Sequence, residues 1–579
     1  MLGCGFPGID HAQPPIQSAA RFDARVLPVR RGRPWPETAM TTYSFSADER
    51  PSSAGSPYTP KLSVPRKLAY ALVGTFIGLI STFPNALVNA NLGNIAGSMG
   101  LYVAEASWLP ALYFGMNASS NLTLVKARAQ FGIPLVTQTL LALYAGVAVL
   151  QLMFPSFAMA VAARIANGIE TGALVSLSVY YFLMVFPGKL RPLALLMGVS
   201  LTQFGTPLAR LIPIELLRLD SWRGLHCLEL AVPLLILAAI LAVPLPPTDR
   251  TKAFEPKDLL SIALLVPGVV LGCEVLGLGR VLWWSDTHWL GWLFAASVAL
   301  VGLGCVVEAH RARPLLDLRW LSTINIARFV GIALLMRLAL AEQTFGSVGL
   351  LTTAGLSNDQ LHILFALVAG SMGLGILAAA LTLKEERLAY QVVAAALCVA
   401  VGALLDSHSN NLTRPEQLYL SQSLIGFGTT LFIGPAILYG VIQMLRSGGE
   451  RLITIVVLFS ITQNVGALAG SALMGTFQTE RVNYHANALA AHLDAQDPQV
   501  ASRIAAGSAA VSKVVVDPAL RAAEGGAQLG RAATEEATVL AFNDVFGFLA
   551  RLSGATALFV ALSLFLKRLR HSAPNEAHP

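Results

Sequence analysis

The chain has 579 residues, of which 55% are hydrophobic and 13% are charged, and its mean hydropathy is +0.62. Soluble domains carry about 25% charged residues, so this composition excludes a string of soluble domains and indicates a polytopic membrane protein. A net charge of +7 is expected of basic cytoplasmic loops and does not call for nucleic-acid binding.

Residues 1–64 differ from the rest of the chain. They are rich in Pro, Ser, Gly and charge, as in SADERPSSAGSPYTPK, and they show no hydrophobic periodicity. Such a segment cannot bury a core, so we predict that 1–64 is a disordered cytoplasmic segment. Met40 offers an alternative start of translation within it.

About fourteen apolar stretches of membrane-spanning length follow. Every second loop between them is basic, which by the positive-inside rule places both termini in the cytoplasm and favours an even number of spans. The expected location is the bacterial inner membrane. The predicted spans are 67–92, 106–124, 131–154, 156–186, 192–214, 226–246, 258–279, 287–308, 326–348, 360–383, 388–406, 417–445, 452–475 and 544–566.

One loop is far longer than the others. Residues 476–543 are Ala-rich, with apolar residues at helical spacing that are interrupted at Pro498, at Pro518 and at Gly525-Gly526. This pattern predicts short amphipathic helices outside the membrane. A flexible connector is the alternative.

Several segments, in the right order, resemble the fourteen-helix drug:proton antiporters of the major facilitator superfamily, the EmrB-type exporters. They are ARIANGIETGALVSLSVYYFLMVFPGKLRPLA in the fourth span, DSWRGLHCLELAVP before the sixth, RPLLDLRWL before the ninth, GFGTTLFIGPAILYGVIQM in the twelfth and QNVGALAGSALMGTFQTERVNYH in the thirteenth. Other motifs depart from the family. The first span reads STFPNALVNANLGN, with Pro84 near the position of the family's usual Asp, and Glu229 replaces the usual Asn of the sixth span.

The resemblance implies an all-α major facilitator fold of two six-helix bundles with two additional transmembrane helices. The expected division is 65–246 for the first bundle, 247–310 for the two linker helices, 311–570 for the second bundle and 571–579 for a cytoplasmic tail. It also implies proton-driven export of small amphiphilic toxic compounds. In two-membrane bacteria such exporters hand substrate to a periplasmic adaptor and an outer-membrane channel, and we expect residues 476–543 to contribute to adaptor docking.

Ionisable residues inside the hydrocarbon are costly and therefore mark functional candidates. Arg164 matches the family's motif Arg, to which proton coupling is ascribed; a structural Arg bonded to backbone carbonyls is the alternative. Glu170 lies near the middle of the same span and is a candidate proton carrier, with a static hydrogen-bonded Glu as the rival. Six residues separate the two, so their faces differ and direct pairing is not expected. Glu229 is assigned to the same proton-coupling set.

Arg337 falls near the centre of the ninth span. A cation at this depth needs either a Glu from another helix or an anionic substrate, and the sequence leaves both open. We include Glu342 and the first-span residues Asn85 and Asn89 with Arg337 as candidate substrate-binding residues. Because of Arg337, we expect a preference for anionic or aromatic acid-bearing compounds.

The chain shows no phosphate-binding loop, HExxH or GxSxG motif, and its five cysteines lack metal-site spacing. We therefore expect no enzyme activity, no cofactor and no metal site. The alternative function is a transporter-like membrane sensor or scaffold without transport activity, which the altered first-span and loop motifs keep open.

Overall fold

The computed structural model describes residue 49 and residues 55–446, 451–494 and 496–572; for 219–221 and 570–572 it describes the backbone alone. The predicted disorder of residues 1–48 and 50–54, and Met40, lie outside the described residues. Within the described part of the chain the regular elements are helices, with one isolated β-bridge between Pro57 and Thr248.

The α-helices alternate with short loops and a few single turns. In chain order they are α1 (Val64–Ile80), α2 (Phe83–Ala90), α3 (Leu92–Met99), α4 (Val103–Phe131), α5 (Ile133–Met153), α6 (Phe157–Val185), α7 (Arg191–Ser200), α8 (Gly205–Arg210), α9 (Ile214–Ala242), α10 (Pro256–Gly279), α11 (His288–Ala309), α12 (Leu318–Leu321), α13 (Ile324–Ala339), α14 (Ser347–Thr353), α15 (His362–Leu381), α16 (Leu388–Asp406), α17 (Tyr419–Arg446), α18 (Leu452–Ala490), α19 (Pro498–Ala510) and α20 (Pro518–Ser572). Short 3₁₀ turns lie at Gly188–Leu190, Leu201–Phe204, Asn358–Leu361, Glu385–Arg387 and Pro415–Leu418, and a π-helical turn at Glu342–Gly346.

Among the described residues, 13 helical segments are long and apolar enough to cross a membrane. The predicted span at 106–124 is the exception. It lies in α4, whose 29 residues exceed the length that a span needs. Its polar side chains, including Asn117 and Asn121, are buried inside the bundle. The polarity of α4 therefore reflects its packing inside the protein, with little of it facing lipid.

The helices form two bundles that contact each other along a central seam. The first bundle is built from α1 to α9 and the second from α13 to α18 with α20. Across the seam α4 packs on α18, α7 packs on α17, and α8 packs on α15. The pair α10–α11 packs against the outside of α4. Close approach along the seam relies on small residues: a Cβ at Gly434 of α17 would lie 2.7 Å from the Leu196 side chain of α7.

One end of the bundle carries the basic segments and is called the basic face: 124–132, 187–191, 243–257, 309–323, 382–387 and the two residues Arg446 and Arg451. Its loops are joined by ion pairs. Asp258 accepts from Lys126 at 2.6 Å and from Arg311 at 2.5 Å, and Arg451 pairs with Asp317 at 2.7 Å. These contacts tie the first bundle and α10 to the loops of the second bundle.

The last residues of the predicted disordered segment are ordered, which corrects the prediction for 55–63. Tyr58 donates its hydroxyl proton to Asp249 at 2.9 Å, and its backbone N–H bonds to Pro247 O at 3.2 Å. Gly55 adopts φ +77° and lies against the backbone of Ala129 at the basic face. Composition alone misses this because the partners are loops far away in sequence.

The opposite end is called the hairpin face, since it carries residues 476–543. This segment is one helical hairpin: α18 continues to Ala490, α19 lies between, and α20 begins at Pro518. Pro498 and Pro518 start helices, but Gly525 and Gly526 lie inside α20, so the predicted interruption there is wrong. Gly525 instead lets α20 approach the backbone of α19 at Ile504 and Ser508.

Candidate functional site

A cavity of about 1210 Å³ lies between the two bundles. Its wall comes from α2, α4, α6 and α7 on one side and from α13, the π-turn, α17 and α18 on the other. It extends from Lys189 and Lys384 at the basic face to Arg210 and Arg280 towards the hairpin face. The volume suits a drug-sized molecule with some water.

The charges on this wall are strongly one-sided. Seven basic side chains line the cavity, against one carboxylate, Glu385. Such a surface attracts anions and disfavours cations. The basic residues are Arg128, Lys189, Arg191, Arg210, Arg280, Arg337 and Lys384.

Arg337 lies at mid-depth, one turn before the π-turn. Its Nε donates to the backbone carbonyl of Gln463 on α18 at 3.1 Å. No carboxylate in the described part of the chain lies within 4.0 Å of its guanidinium nitrogens. The sequence leaves two partners open for Arg337, a Glu from another helix or an anionic substrate. The described residues supply no such Glu, and the Arg337 side chain lines the cavity.

Asn85 and Asn89 also line the cavity, from α2. The first span breaks at Ser81–Thr82, where the Thr82 hydroxyl donates to Thr202 O at 2.7 Å. This break separates α1 from α2. The side-chain oxygens of Asn85 and Asn89 are buried without a hydrogen-bond partner among the described residues.

The predicted proton-coupling residues lie behind the cavity wall. Arg164 and Glu229, which are 2% exposed each, form a buried ion pair between α6 and α9. Glu229 also contacts His226 Nδ1 at 2.9 Å, and the same nitrogen lies 3.2 Å from Gln151 Nε2. The partner of Arg164 is thus a neighbouring helix's carboxylate, and Arg164 does not pair with Glu170.

Glu170 lies in the same helix but has no cationic partner within 4.0 Å in the described chain. It is 1% exposed. Asn167 Nδ2 donates to Glu170 Oε2 at 3.2 Å, while Glu170 Oε1 has no hydrogen-bond partner among the described residues. Glu170 does not line the cavity, but the adjacent helix α4 places Tyr113 on the wall. An uncompensated carboxyl in this position is expected to hold a proton.

Glu342 departs from its predicted place. It is 0% exposed and faces away from the cavity, into a cluster with Asp406 of α16 and Gln422 of α17. The π-turn is the reason, since it rotates Thr344 and Phe345 onto the cavity wall and Glu342 behind it. The assignment of Glu342 to substrate binding is therefore wrong in position.

Other residues of the site were missed from sequence. Arg128, Arg210 and Arg280 stand at or beyond span ends, where a basic residue is normally a loop marker. Asp406 is the last residue of its span, where the sequence does not distinguish a functional acid from one that simply ends the span. Glu274 of α10 lies off the cavity, is 1% exposed, and its side-chain oxygens have no hydrogen-bond partner among the described residues.

Comparison with known proteins identifies the fold. No family model and no curated protein matches the sequence. Among solved structures, the chain resembles a bacterial homologue of the human drug peptide transporters PepT1 and PepT2, with a TM-score of 0.53 at 11% identity, covering 87% of this chain and 99% of that one. A proton-dependent oligopeptide transporter gives 0.52 at 12% identity over 86% and 99%. A POT family transporter, PepTSo, gives 0.50 at 13% over 88% and 99%.

All three are described as transporters, and none as an enzyme. The chain is a multi-pass membrane protein with the major facilitator fold, as the sequence predicts. At 11–13% identity this likeness is one of fold. The EmrB-type drug:proton antiporter family stays a prediction.

Proposed function

We propose that the chain is a proton-driven secondary exporter of small amphiphilic organic anions, with aromatic carboxylates as the representative class. The observation that carries this proposal is the central cavity with seven basic side chains and one carboxylate on its wall. Alternating access in this fold places the substrate between the two bundles, where both faces can reach it in turn.

Arg337 is the proposed anchor for the anionic group. It is held by Gln463 O and has no carboxylate partner in the described chain, so an incoming anion offsets part of the cost of burying its charge. The aromatic part of a substrate finds Phe345 on the same side of the cavity and Tyr113 and Phe114 of α4 on the opposite side. Asn85 and Asn89 offer amide groups on the opposite bundle.

Glu170 is the proposed proton carrier. A carboxyl that is buried without a cation must gain a proton or an aqueous pathway, and alternation between these two states is what proton coupling needs. Arg164 and Glu229 form the fixed charge pair of the same bundle and complete the proposed coupling set. The expected setting is a bacterial inner membrane with the basic face in the cytoplasm.

Binding by purified full-length protein tests the substrate class. An aromatic carboxylate and its quaternary-ammonium analogue of equal size are titrated while intrinsic tryptophan fluorescence is followed. The proposal requires at least tenfold tighter binding of the carboxylate, which corresponds to about 1.4 kcal/mol. Equal binding of both compounds contradicts the anion preference.

We further propose that the hairpin docks a periplasmic adaptor, which would pass substrate to an outer-membrane channel. Support comes from its length and surface. The 39 residues of α18 span about 58 Å against about 30 Å of hydrocarbon, so the helix continues well beyond the membrane. Val514 and Val516, each 86% exposed, and Leu520 at 60% form an apolar tip, as expected of an interaction surface.

Replacing Val514 and Val516 together with Asp tests docking without altering the helices. Docking requires loss of adaptor crosslinking and of whole-cell resistance, with transport by isolated inner-membrane vesicles retained. Ser512→Asp is the matched control and should leave crosslinking intact. If vesicle transport falls while crosslinking survives, the hairpin is a lid over the transporter's own mouth.

A further inference from the structure

We propose that Glu342 and Asp406 of the second bundle form a proton-binding site in addition to Glu170. The π-turn at 342–346 couples the protonation state of this pair to the cavity wall. The proton site stands on its own geometry. Its link to transport rests on the proposed function.

The two carboxyls are held by one amide. Gln422 Nε2 donates to Glu342 Oε1 and Oε2 at 2.9 and 3.1 Å and lies 2.7 Å from Asp406 Oδ2. Glu342 is 0% exposed and Asp406 1% exposed. Three helical elements, the π-turn, α16 and α17, thus bring two acids to a common point inside the protein.

The charge on this pair has no compensation in the described chain. No Lys, Arg or His nitrogen of the described residues lies within 4.0 Å of either carboxylate. An amide has two hydrogens and no charge, so Gln422 cannot neutralise two anions. Because two carboxylates that share a buried site cannot both ionise, at least one proton is bound. This distinguishes the pair from Glu229, whose charge is matched by Arg164.

The other charged groups on the surrounding elements are exposed, paired, at the basic face or on the cavity wall. Asp544 of α20 is taken by Arg481 and His485 of α18 at 2.5 and 2.7 Å. Exposed groups are His408, Arg414, Glu416, Glu480 and Arg551. Arg387, Arg446 and Arg451 lie at the basic face, and Arg337 and Arg280 line the cavity, Arg280 over the Phe345 ring at 5.5 Å. Local protonation of the pair is therefore the means of balancing its charge.

The π-turn connects the pair to the cavity within two residues. Glu342 and Gln343 are buried behind the wall, whereas Thr344 and Phe345 line it. Gln343 Nε2 also contacts Gln422 O at 3.4 Å, and Gly346 lies against Phe546 of α20. π-turns inside helices are frequent at functional sites. A change of charge at Glu342 therefore bears directly on the position of Phe345.

Infrared difference spectroscopy of the purified full-length protein tests the site without any substrate. At neutral pH the spectrum should contain protonated-carboxyl absorption that shrinks in Glu342→Gln and in Asp406→Asn. The control is Glu416→Gln, which removes an exposed acid in the turn just before α17 and should leave the absorption unchanged. Retention of the full absorption in both single variants and in the Glu342→Gln/Asp406→Asn double variant overturns the proposal.

Transport assays in proteoliposomes separate the site from the proposed function. With an aromatic carboxylate as probe, Glu342→Gln should keep counterflow exchange and lose at least tenfold in uptake driven by a pH gradient. Equal loss of both activities, or of neither, overturns the coupling role. If wild-type protein shows no exchange of the probe, the proposed function fails, while the infrared result still decides whether the proton site exists.

Discussion

The two bundles bury acidic groups in different ways. In the first bundle, Glu229 is matched by Arg164 and contacted by His226. In the second, Glu342 and Asp406 share the neutral amide of Gln422 and have no cationic partner within 4.0 Å in the described chain. The first arrangement fixes charge in place, while the second can be made neutral only by protons. A buried carboxylate in a membrane protein therefore indicates proton binding mainly where no cation lies beside it.

The largest expected effect follows from breaking the charge pair. Glu229→Gln leaves Arg164 buried without an anion, and removing one partner of a buried pair costs about 3–5 kcal/mol. We expect a sharp loss of folded protein in size-exclusion chromatography. Glu342→Gln replaces a carboxyl that is already compensated by a proton, and its expected cost is below about 1.5 kcal/mol.

The double variant Arg164→Gln/Glu229→Gln sharpens the comparison. Removing both charges should recover much of the stability lost in the single variant, since no unpaired charge remains. Thermal unfolding in detergent measures the cycle. An additive result, with no recovery, would mean that the two side chains contribute independently.

Glu170 is the acid of the first bundle that resembles those of the second. Glu170→Gln should abolish export driven by a pH gradient, because the proton can no longer be exchanged, while counterflow and membrane insertion persist. The same assay on Asn167→Ala, which removes the amide that donates to Glu170 Oε2, should show export that is only partly coupled to the pH gradient. Normal gradient-driven export by Glu170→Gln contradicts its role as a carrier.

The cavity offers a comparison between a central cation and one at the rim. Arg337→Gln should weaken binding of aromatic carboxylates by roughly tenfold to a hundredfold, since charge-assisted hydrogen bonds contribute about 1.5–3 kcal/mol. Lys384→Gln, exposed at the basic face, should change binding by less than threefold. Equal losses for acids and cations in Arg337→Gln would indicate a structural role.

The smallest effect concerns the basic face. Burial alone would raise the pKa of the Asp317 carboxyl, but hydrogen bonds from Arg451 and from the Trp320 N–H outweigh it and hold this pKa below its ordinary value. A lowered folded-state pKa gives stability above the unfolded-state pKa, and this stability disappears as the pH falls through the folded-state pKa. Asp317→Asn should cost about 1 kcal/mol at pH 7 and nothing in acid.

Thermal unfolding at several pH values measures this difference. Glu386→Gln, an exposed acid of another basic-face loop, is the control and should leave the unfolding temperature unchanged at every pH. A loss in Asp317→Asn that persists in acid would show that packing, not charge, links these loops.

Hydropathy and loop charge predicted the architecture well, because lipid requires long apolar helices and basic loops mark one face. The exceptions have physical causes. Helix α4 is too polar for a hydropathy threshold since its polar side chains face other helices. Glu342 could not be placed because one π-turn shifts the register of α13 away from regular helical spacing. Asp406 and Gln422 become a site only when three distant segments meet.

Proton-coupled exchange of an organic anion is the central claim, and its direction of proton flow tests it most directly. Full-length protein is reconstituted into vesicles that hold a pH-sensitive dye, and an aromatic carboxylate is added outside. Antiport moves the anion in and protons out, so we predict protein-dependent alkalinisation of the interior that is absent in Glu170→Gln. Protein-free vesicles are the control. An interior pH change equal to theirs would contradict the account.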